Sequence, residues 1–249
     1  GTRNVLELAC FGRTKHVNHV SSIAAYDCDK HKGVEYADED LPLDGSWGFH
    51  SGYDETKWVS EMLVAEAGKR GLPVTVYRPG NISGDSRTGV CSATDLIGIM
   101  LKGCIQLKSA PKNSDVVDVV PIDYVSQALV YLSMQPSSIG EKFNLVNPKP
   151  SRWIDLVRLM QNFGFKVETV DFGEWCNRLK SERENLGKNV LIPLLPTFET
   201  RPLFSNRHYS SKKTLKSLID AKIKCKPIDT SLFNAYIQHL QKEGVLTYE

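Results

Sequence analysis

The sequence predicts an α/β fold: the C-terminal part of a doubly wound parallel sheet, followed by a mainly helical cap. Two observations predict it. From residue 16 to residue 147, short β-branched runs alternate with amphipathic helical stretches, the pattern of βα units on a parallel sheet. Beyond Pro150 the strands thin out and helical spacing takes over. With 41% hydrophobic residues in 249, the chain is long and apolar enough to bury a core. No run approaches the ~20 apolar residues of a bilayer helix. Lys and Arg number 31 against 29 Asp and Glu, a balance of 31 − 29 = +2 that argues against a dedicated nucleic-acid binder.

Each element follows from local pattern. TRNVLELAC (2–10) is helical by the spacing of Val5, Leu6 and Leu8, and HVNHVSS (16–22) is a strand with Val17 and Val20 as apolar positions. A polar loop over 27–52 leads into a helix from about Tyr53 to Lys69, whose predicted buried stripe is Trp58, Val59, Met62, Leu63 and Ala67. Gly71 ends it, and PVTVYRP (73–79) is a buried strand. A helix near 93–102 precedes VVDVVP (116–121), and DYVSQALVYLSM (123–134) is a helix with Asp123 as N-cap. KFNLVN (142–147) is the next strand. Ser151 caps a helix to about Phe163, and FKVETVD (165–171) is a short strand. LIPLLPTFETRPLFS (191–205) is a Pro-broken loop, and 231–244 a last amphipathic helix. The expected division is a sheet domain over 1–150 and a helical subdomain over 151–249. Cys10, Cys28, Cys91, Cys104, Cys176 and Cys225 form no Cys-x-x-Cys pair, so they read as reduced thiols of a cytoplasmic protein. His16, His31, His208 and His239 lack ligand spacing, and no metal site is expected.

Three segments carry chemistry. Tyr53 and Lys57 stand at i and i+4, one turn of ~5.4 Å apart on the same helix face. An ammonium so placed favours the phenolate and makes the phenol a usable proton donor. Ser21 and Ser22 end the strand over 16–22, the end at which ligands bind in parallel sheets; a hydroxyl there can donate to a carbonyl or merely begin the loop. RPGNISG (78–84) can turn and approach a ligand closely, leaving Asn81 to bond either substrate or loop backbone.

Strand-Ser-Ser, Tyr-x-x-x-Lys on a helix and Arg-Pro-Gly-Asn after a strand together resemble the extended short-chain dehydrogenase/reductase family. GTRNVLELA, HVSSIAAY, GYDETKWVSEMLVAEAGKRGLPVTVYRPGNISGDSRTG and VDVVPIDYVSQALVYL resemble, more narrowly, the thioester reductase domain. Such domains end some nonribosomal peptide and polyketide synthases, carboxylic acid reductases and aminoadipate reductases. The resemblance is dense from Gly1 to about Val146 and thinner over SRWIDLVRLMQNFGF and FGEWCNRL.

It implies a Rossmann-like doubly wound parallel sheet with a mainly helical substrate-binding cap. Ser22 would bond the carbonyl, with Ser21 its neighbour beside the cofactor. Tyr53 would donate the proton, and Lys57 would hold the nicotinamide ribose hydroxyls. Pro79, Gly80 and Ile82 would lie beside the nicotinamide, and Asn81 would face the substrate. The implied cofactor is NADPH. The implied substrate is an acyl or peptidyl thioester on the phosphopantetheine arm of a carrier domain, reduced to the aldehyde or further to the alcohol.

The sequence departs from the family in one respect: the glycine fingerprint and the position choosing NAD or NADP are absent. The expectation is a fragment of a longer polypeptide whose first strand is the fourth of the order 3-2-1-4-5-6. Alone, it should aggregate through the edge carrying Val17 and Val20, or bind NADPH weakly and be inactive. The alternatives are a fatty acyl-CoA reductase or nucleotide-sugar epimerase, sharing Ser, Tyr and Lys, and a non-catalytic docking remnant. RPGNISGDSRTGV and the Trp58-Val59-Ser60-Glu61 continuation favour the thioester reductase, and the intact Ser22, Tyr53 and Lys57 argue against a remnant. Lys212-Lys213 could be a solvated face or a carrier contact, and PTFETRPLF could line an acyl pocket or pack as a loop.

Overall fold

The computed structural model describes residues 1–185, 187–200, 204 and 206–246, the Thr200 side chain excepted. In chain order, helix α1 (Thr2–Cys10) and strand β1 (Val17–Val20) precede a long loop holding two 3-10 turns, Ile23–Tyr26 and Asp29–His31, and the short β2 (Tyr36–Ala37). Helix α2 (Gly52–Lys69) starts on Ser51, whose hydroxyl accepts the Asp54 N–H, and it ends ahead of Gly71 at φ +95°. Strand β3 (Val74–Pro79) is buried along its whole length. Then come β4 (Asn81–Ser83), α3 (Leu96–Leu107), β5 (Ser109–Pro111), β6 (Val116–Val117), β7 (Val119–Pro121), α4 (Ile122–Ser133) and β8 (Lys142–Leu145). β9 (Ser151–Arg152), α5 (Trp153–Phe163), β10 (Glu168–Val170), α6 (Phe172–Glu184), α7 (Leu195–Thr200), β11 (His208–Tyr209), α8 (Lys212–Ser217) and α9 (Thr230–Lys242) follow.

These elements form two compact units that interleave along the chain. One comprises Gly1–Gly80, Tyr124–Pro148 and Arg207–Cys225; the other comprises Asn81–Asp123, Lys149–Asn206 and Lys226–Glu249. The separation is therefore not the single cut expected near residue 150. Its cause is strand pairing: β4 follows β3 directly in sequence but pairs in parallel with β7 rather than extending the first sheet.

The first unit carries a parallel sheet of order β1-β3-β8, with Val17 opposite Val74, Val20 opposite Tyr77 and Pro79 opposite Leu145. Each strand runs parallel to its neighbour, as the expected doubly wound sheet requires. Helix α2 packs two faces rather than one stripe. Val64 and Ala67 join Ala9, Val17, Val74 and Val76, while Trp58 and Met62 join Tyr26, Ala37 and Leu43. Val59 and Leu63, expected in the stripe, are 41% and 44% exposed because they fall outside both arcs.

The second unit has a helical core with short strand pairs, and Trp153 and Trp175 lie at its centre without exposure. Each indole N–H is satisfied by a carbonyl, Pro111 O at 3.1 Å and Ser109 O at 3.2 Å, so the rings bury their area without orphaning a donor. Helix α3 begins at Leu96, where Asp95 accepts the Gly98 N–H. Asp123 lies inside the first turn of α4 rather than capping it, and its carboxylate takes the Ser86 N–H at 2.8 Å and hydroxyl at 2.7 Å. Ser151 sits in β9, leaving Arg152 as the N-cap of α5 with no side-chain cap bond. Residues 195–200 are helical where a loop is expected, since Pro196 falls in the first turn, which needs no N–H from it. Residues 201–203 and 205 of that stretch lie outside the described residues. Among the described residues no helix is long and apolar enough to cross a membrane, and all six cysteines are free.

Packing in this unit gives a direct test. Gly103 lies inside α3, where a Cβ would run into Leu191, itself wholly buried. Gly103→Ala gains about 1 kcal/mol of helix propensity. Overpacking costs about 1–3 kcal/mol and is expected to win. A lowered urea midpoint at constant m checks this; an unchanged or raised midpoint would show that Leu191 gives way.

Candidate active site

At the end of β1, parallel pairing carries one residue past the strand, because the Ser21 N–H donates to Tyr77 O at 2.7 Å. The Ser21 side chain is turned inward, 2% exposed, and its Oγ has no hydrogen-bond partner among the described residues. The resemblance gives Ser21 a place beside a cofactor; in the structure its hydroxyl is turned into the protein. Ser22 is extended and caps the 3-10 turn Ile23–Tyr26: its Oγ accepts the Ala24 N–H at 3.1 Å. Accepting that bond leaves the Ser22 O–H proton uncommitted.

The start of α2 supplies the next two groups. Tyr53 is 57% exposed, and the Lys57 ammonium lies 5.7 Å from its ring centroid, within cation–π range. The Lys57 ammonium also donates to Val20 O at 3.4 Å, on the residue before Ser21. One ammonium thereby links the exposed phenol to the strand end bearing the two serines. Its other N–H groups have no partner among the described residues. His19 is half-buried nearby, with Nε2 3.5 Å from Ser60 Oγ. Burial holds its imidazole below the ordinary pKa, against the opposing pull of Glu61.

The segment after β3 behaves differently from the expected turn. Pro79 closes the strand in a buried position, and the Gly80 N–H donates to Leu145 O at 3.2 Å, continuing the ladder. In the second unit, Asn81 donates to Asp118 O twice, from its backbone N–H at 2.8 Å and from Nδ2 at 3.2 Å. Of the two readings open for Asn81, the loop-backbone bond is realised, and Oδ1 is its uncommitted atom among the described residues. Ile82 is half-buried and pairs with Val120 in β7.

Two weaker expectations also meet packing facts. In PTFETRPLF, Phe198 packs on Trp175 at 5.2 Å and Phe204 on Trp153 at 5.5 Å, so both rings serve the core. Lys213 is paired with Asp40 and Glu141, each at 2.7 Å, and is not a loose solvated charge. Sequence reasoning missed Arg78, which is wholly buried one residue before Pro79. The signal was present: a charged residue inside an otherwise apolar buried strand requires a buried partner. Burial pushes its neighbour Tyr26 up to about 12, so that phenol stays protonated.

Residues 1–129 match the NAD-binding family described as "Male sterility protein". The chain is 34% identical over 256 residues to a component of the linear gramicidin synthase of Brevibacillus parabrevis, covering 99% of the chain and 5% of that protein. It is 34% identical over 209 residues to the L-2-aminoadipate reductase large subunit of Eremothecium gossypii, covering 78% of the chain and 15% of that protein. It superposes with a TM-score of 0.87 on the crystal structure of the terminal R domain from the myxalamid PKS-NRPS biosynthetic pathway, at 36% identity. That likeness covers 98% of the chain and 62% of the R-domain chain, so the chain spans less than two thirds of that domain. With 129 of its 249 residues matched, the chain belongs to the NAD-binding family described as male sterility protein.

Proposed function

We propose that the protein carrying this chain is an NADPH-dependent reductase of acyl or peptidyl thioesters borne on the phosphopantetheine arm of a carrier domain, and that it releases the aldehyde. The observation that carries this reading is the joining of Tyr53, Lys57 and the Ser21–Ser22 strand end through one ammonium. The 36% identity to a terminal R domain supports it.

The donor set fits a nicotinamide cofactor. Lys57 makes one long bond to Val20 O and keeps donors for a ribose diol. When bound, the nicotinamide supplies the hydride. The carbonyl oxygen gains negative charge as the thioester is reduced, and the Ser22 and Tyr53 hydroxyls are the two donors aimed at it in this reading. Each such donor is worth on the order of 2.7–4 kcal/mol of barrier. Tyr53 then passes its proton to that oxygen, with the Lys57 ammonium held beside its ring. The protonated tetrahedral adduct, a hemithioacetal, breaks its C–S bond to give the aldehyde and the free arm thiol. The resemblance gives Pro79, Gly80 and Ile82 the place beside the nicotinamide and Asn81 the substrate side. Ser21 supports the strand end through its N–H rather than its hydroxyl.

The test is the full-length protein incubated with an acyl-pantetheine thioester and either NADPH or NADH, the aldehyde being trapped as an oxime. Aldehyde is expected with NADPH, at a rate well above that with NADH. A folded protein that forms none with either nucleotide overturns the reading.

A further inference from the structure

The guanidinium of Arg78 has no exposure to solvent, and all three of its nitrogens are engaged. Nε donates to both carboxylate oxygens of Glu61, at 3.0 and 3.1 Å, and Nη2 bonds Glu61 Oε1 as well. Nη1 donates to the Tyr26 hydroxyl and, at 3.1 Å, to the Glu39 carbonyl. The guanidinium carbon stands 4.7 Å from the Tyr26 ring centroid. The Tyr26 hydroxyl in turn donates to Asp38 O at 2.9 Å, with Asn144 Oδ1 3.2 Å away.

What these partners belong to matters more than their number. Tyr26 closes the 3-10 turn that Ser22 caps. Glu61 stands on α2 one turn beyond Lys57 and two beyond Tyr53. Arg78 itself precedes Pro79 and Gly80 at the end of β3. Three stretches of chain, each bearing part of the candidate site, therefore meet on one planar fork of five donors. A buried ion pair is weak support for stability, since apolar groups of similar volume often replace one without loss. Its particular capacity is to fix position, because each donor accepts a partner in one direction only.

We infer that Arg78 is a positioning residue, which through Glu61 and Tyr26 fixes the Ser22 turn, the Tyr53–Lys57 helix and the Pro79–Gly80 strand end relative to one another. Its effect on turnover rests on the reductase reading above, whereas the clamp itself can be measured without it.

The experiment uses the full-length protein with three variants. Arg78→Met/Glu61→Leu replaces both charges by apolar groups and orphans neither. Arg78→Lys keeps the charge and loses the fork, and Tyr26→Phe removes one anchor and leaves the ion pair. The double variant is expected to stay folded, with kcat lowered about 100-fold at a KM within a few-fold, the scale of a misplacement near 1 Å. Amide exchange at Ala24, Ala25 and Gly80 should rise about tenfold or more, while exchange in α3 of the other unit stays put. Arg78→Lys should rescue neither readout, and Tyr26→Phe should lower kcat about tenfold, part of that same misplacement. A folded double variant with wild-type exchange, or with wild-type kcat, overturns the inference; if the double variant fails to fold, wild-type kcat in Tyr26→Phe does so. An inactive wild-type protein would instead sink the reductase reading and leave exchange to decide the clamp.

Discussion

Tyr53→Phe in the full-length protein is expected to lower kcat by about 10²–10⁴-fold, with KM for the thioester and for NADPH within a few-fold of wild type. The two proteins differ by one oxygen on a ring that is 57% exposed, so no packed volume is lost. Among the described residues that hydroxyl makes no hydrogen bond, and a surface change of this kind stays within about 0.5 kcal/mol of wild-type stability. The ring remains under the Lys57 ammonium, which keeps its tie to Val20 O. The loss is thus confined to proton delivery and to one donor at the developing oxyanion, both of which act in the transition state. Steady-state kinetics beside a thermal unfolding curve check this. Unchanged kcat with an unchanged melting profile would remove Tyr53 from its role.

That Tyr53 could be singled out at all follows from the kind of information a sequence carries. An i, i+4 pair on a helix is local geometry, and so are the β-branched runs that became β1, β3 and β8. The parallel order of those strands follows from the same alternation. The interleaving of the two units was not legible, because it depends on Asn81–Ser83 choosing Val119–Pro121 as partner across some forty residues of chain. Helix α2 misled for a related reason. Its spacing suggests one stripe, whereas two clusters at different angles bury Trp58 with Met62 and Val64 with Ala67. Arg78 sat in plain view as part of a turn motif, and only burial shows that its charge needed Glu61.

The two adjacent serines give the sharpest remaining contrast, since sequence cannot say which hydroxyl faces a ligand. Ser22→Ala is expected to lower kcat about 10²–10³-fold, the cost of one lost oxyanion donor. Ser21→Ala is expected to leave kcat within about two-fold. Its hydroxyl is buried and unpartnered, so removing it relieves a desolvation penalty of about 1–3 kcal/mol and should hold or raise the melting temperature. Ser22 also caps the turn over Ile23–Tyr26, worth about 1 kcal/mol, so a drop in activity could reflect a loosened turn rather than a missing donor. Ser22→Asp separates the two. A carboxylate accepts the Ala24 N–H as well as a hydroxyl does, yet at neutral pH it has no proton to give and sets negative charge against the oxyanion. Stability retained with kcat lost as in the Ala variant assigns the effect to donation, whereas activity restored with the cap makes Ser22 a structural residue and leaves Tyr53 as the sole donor of the pair.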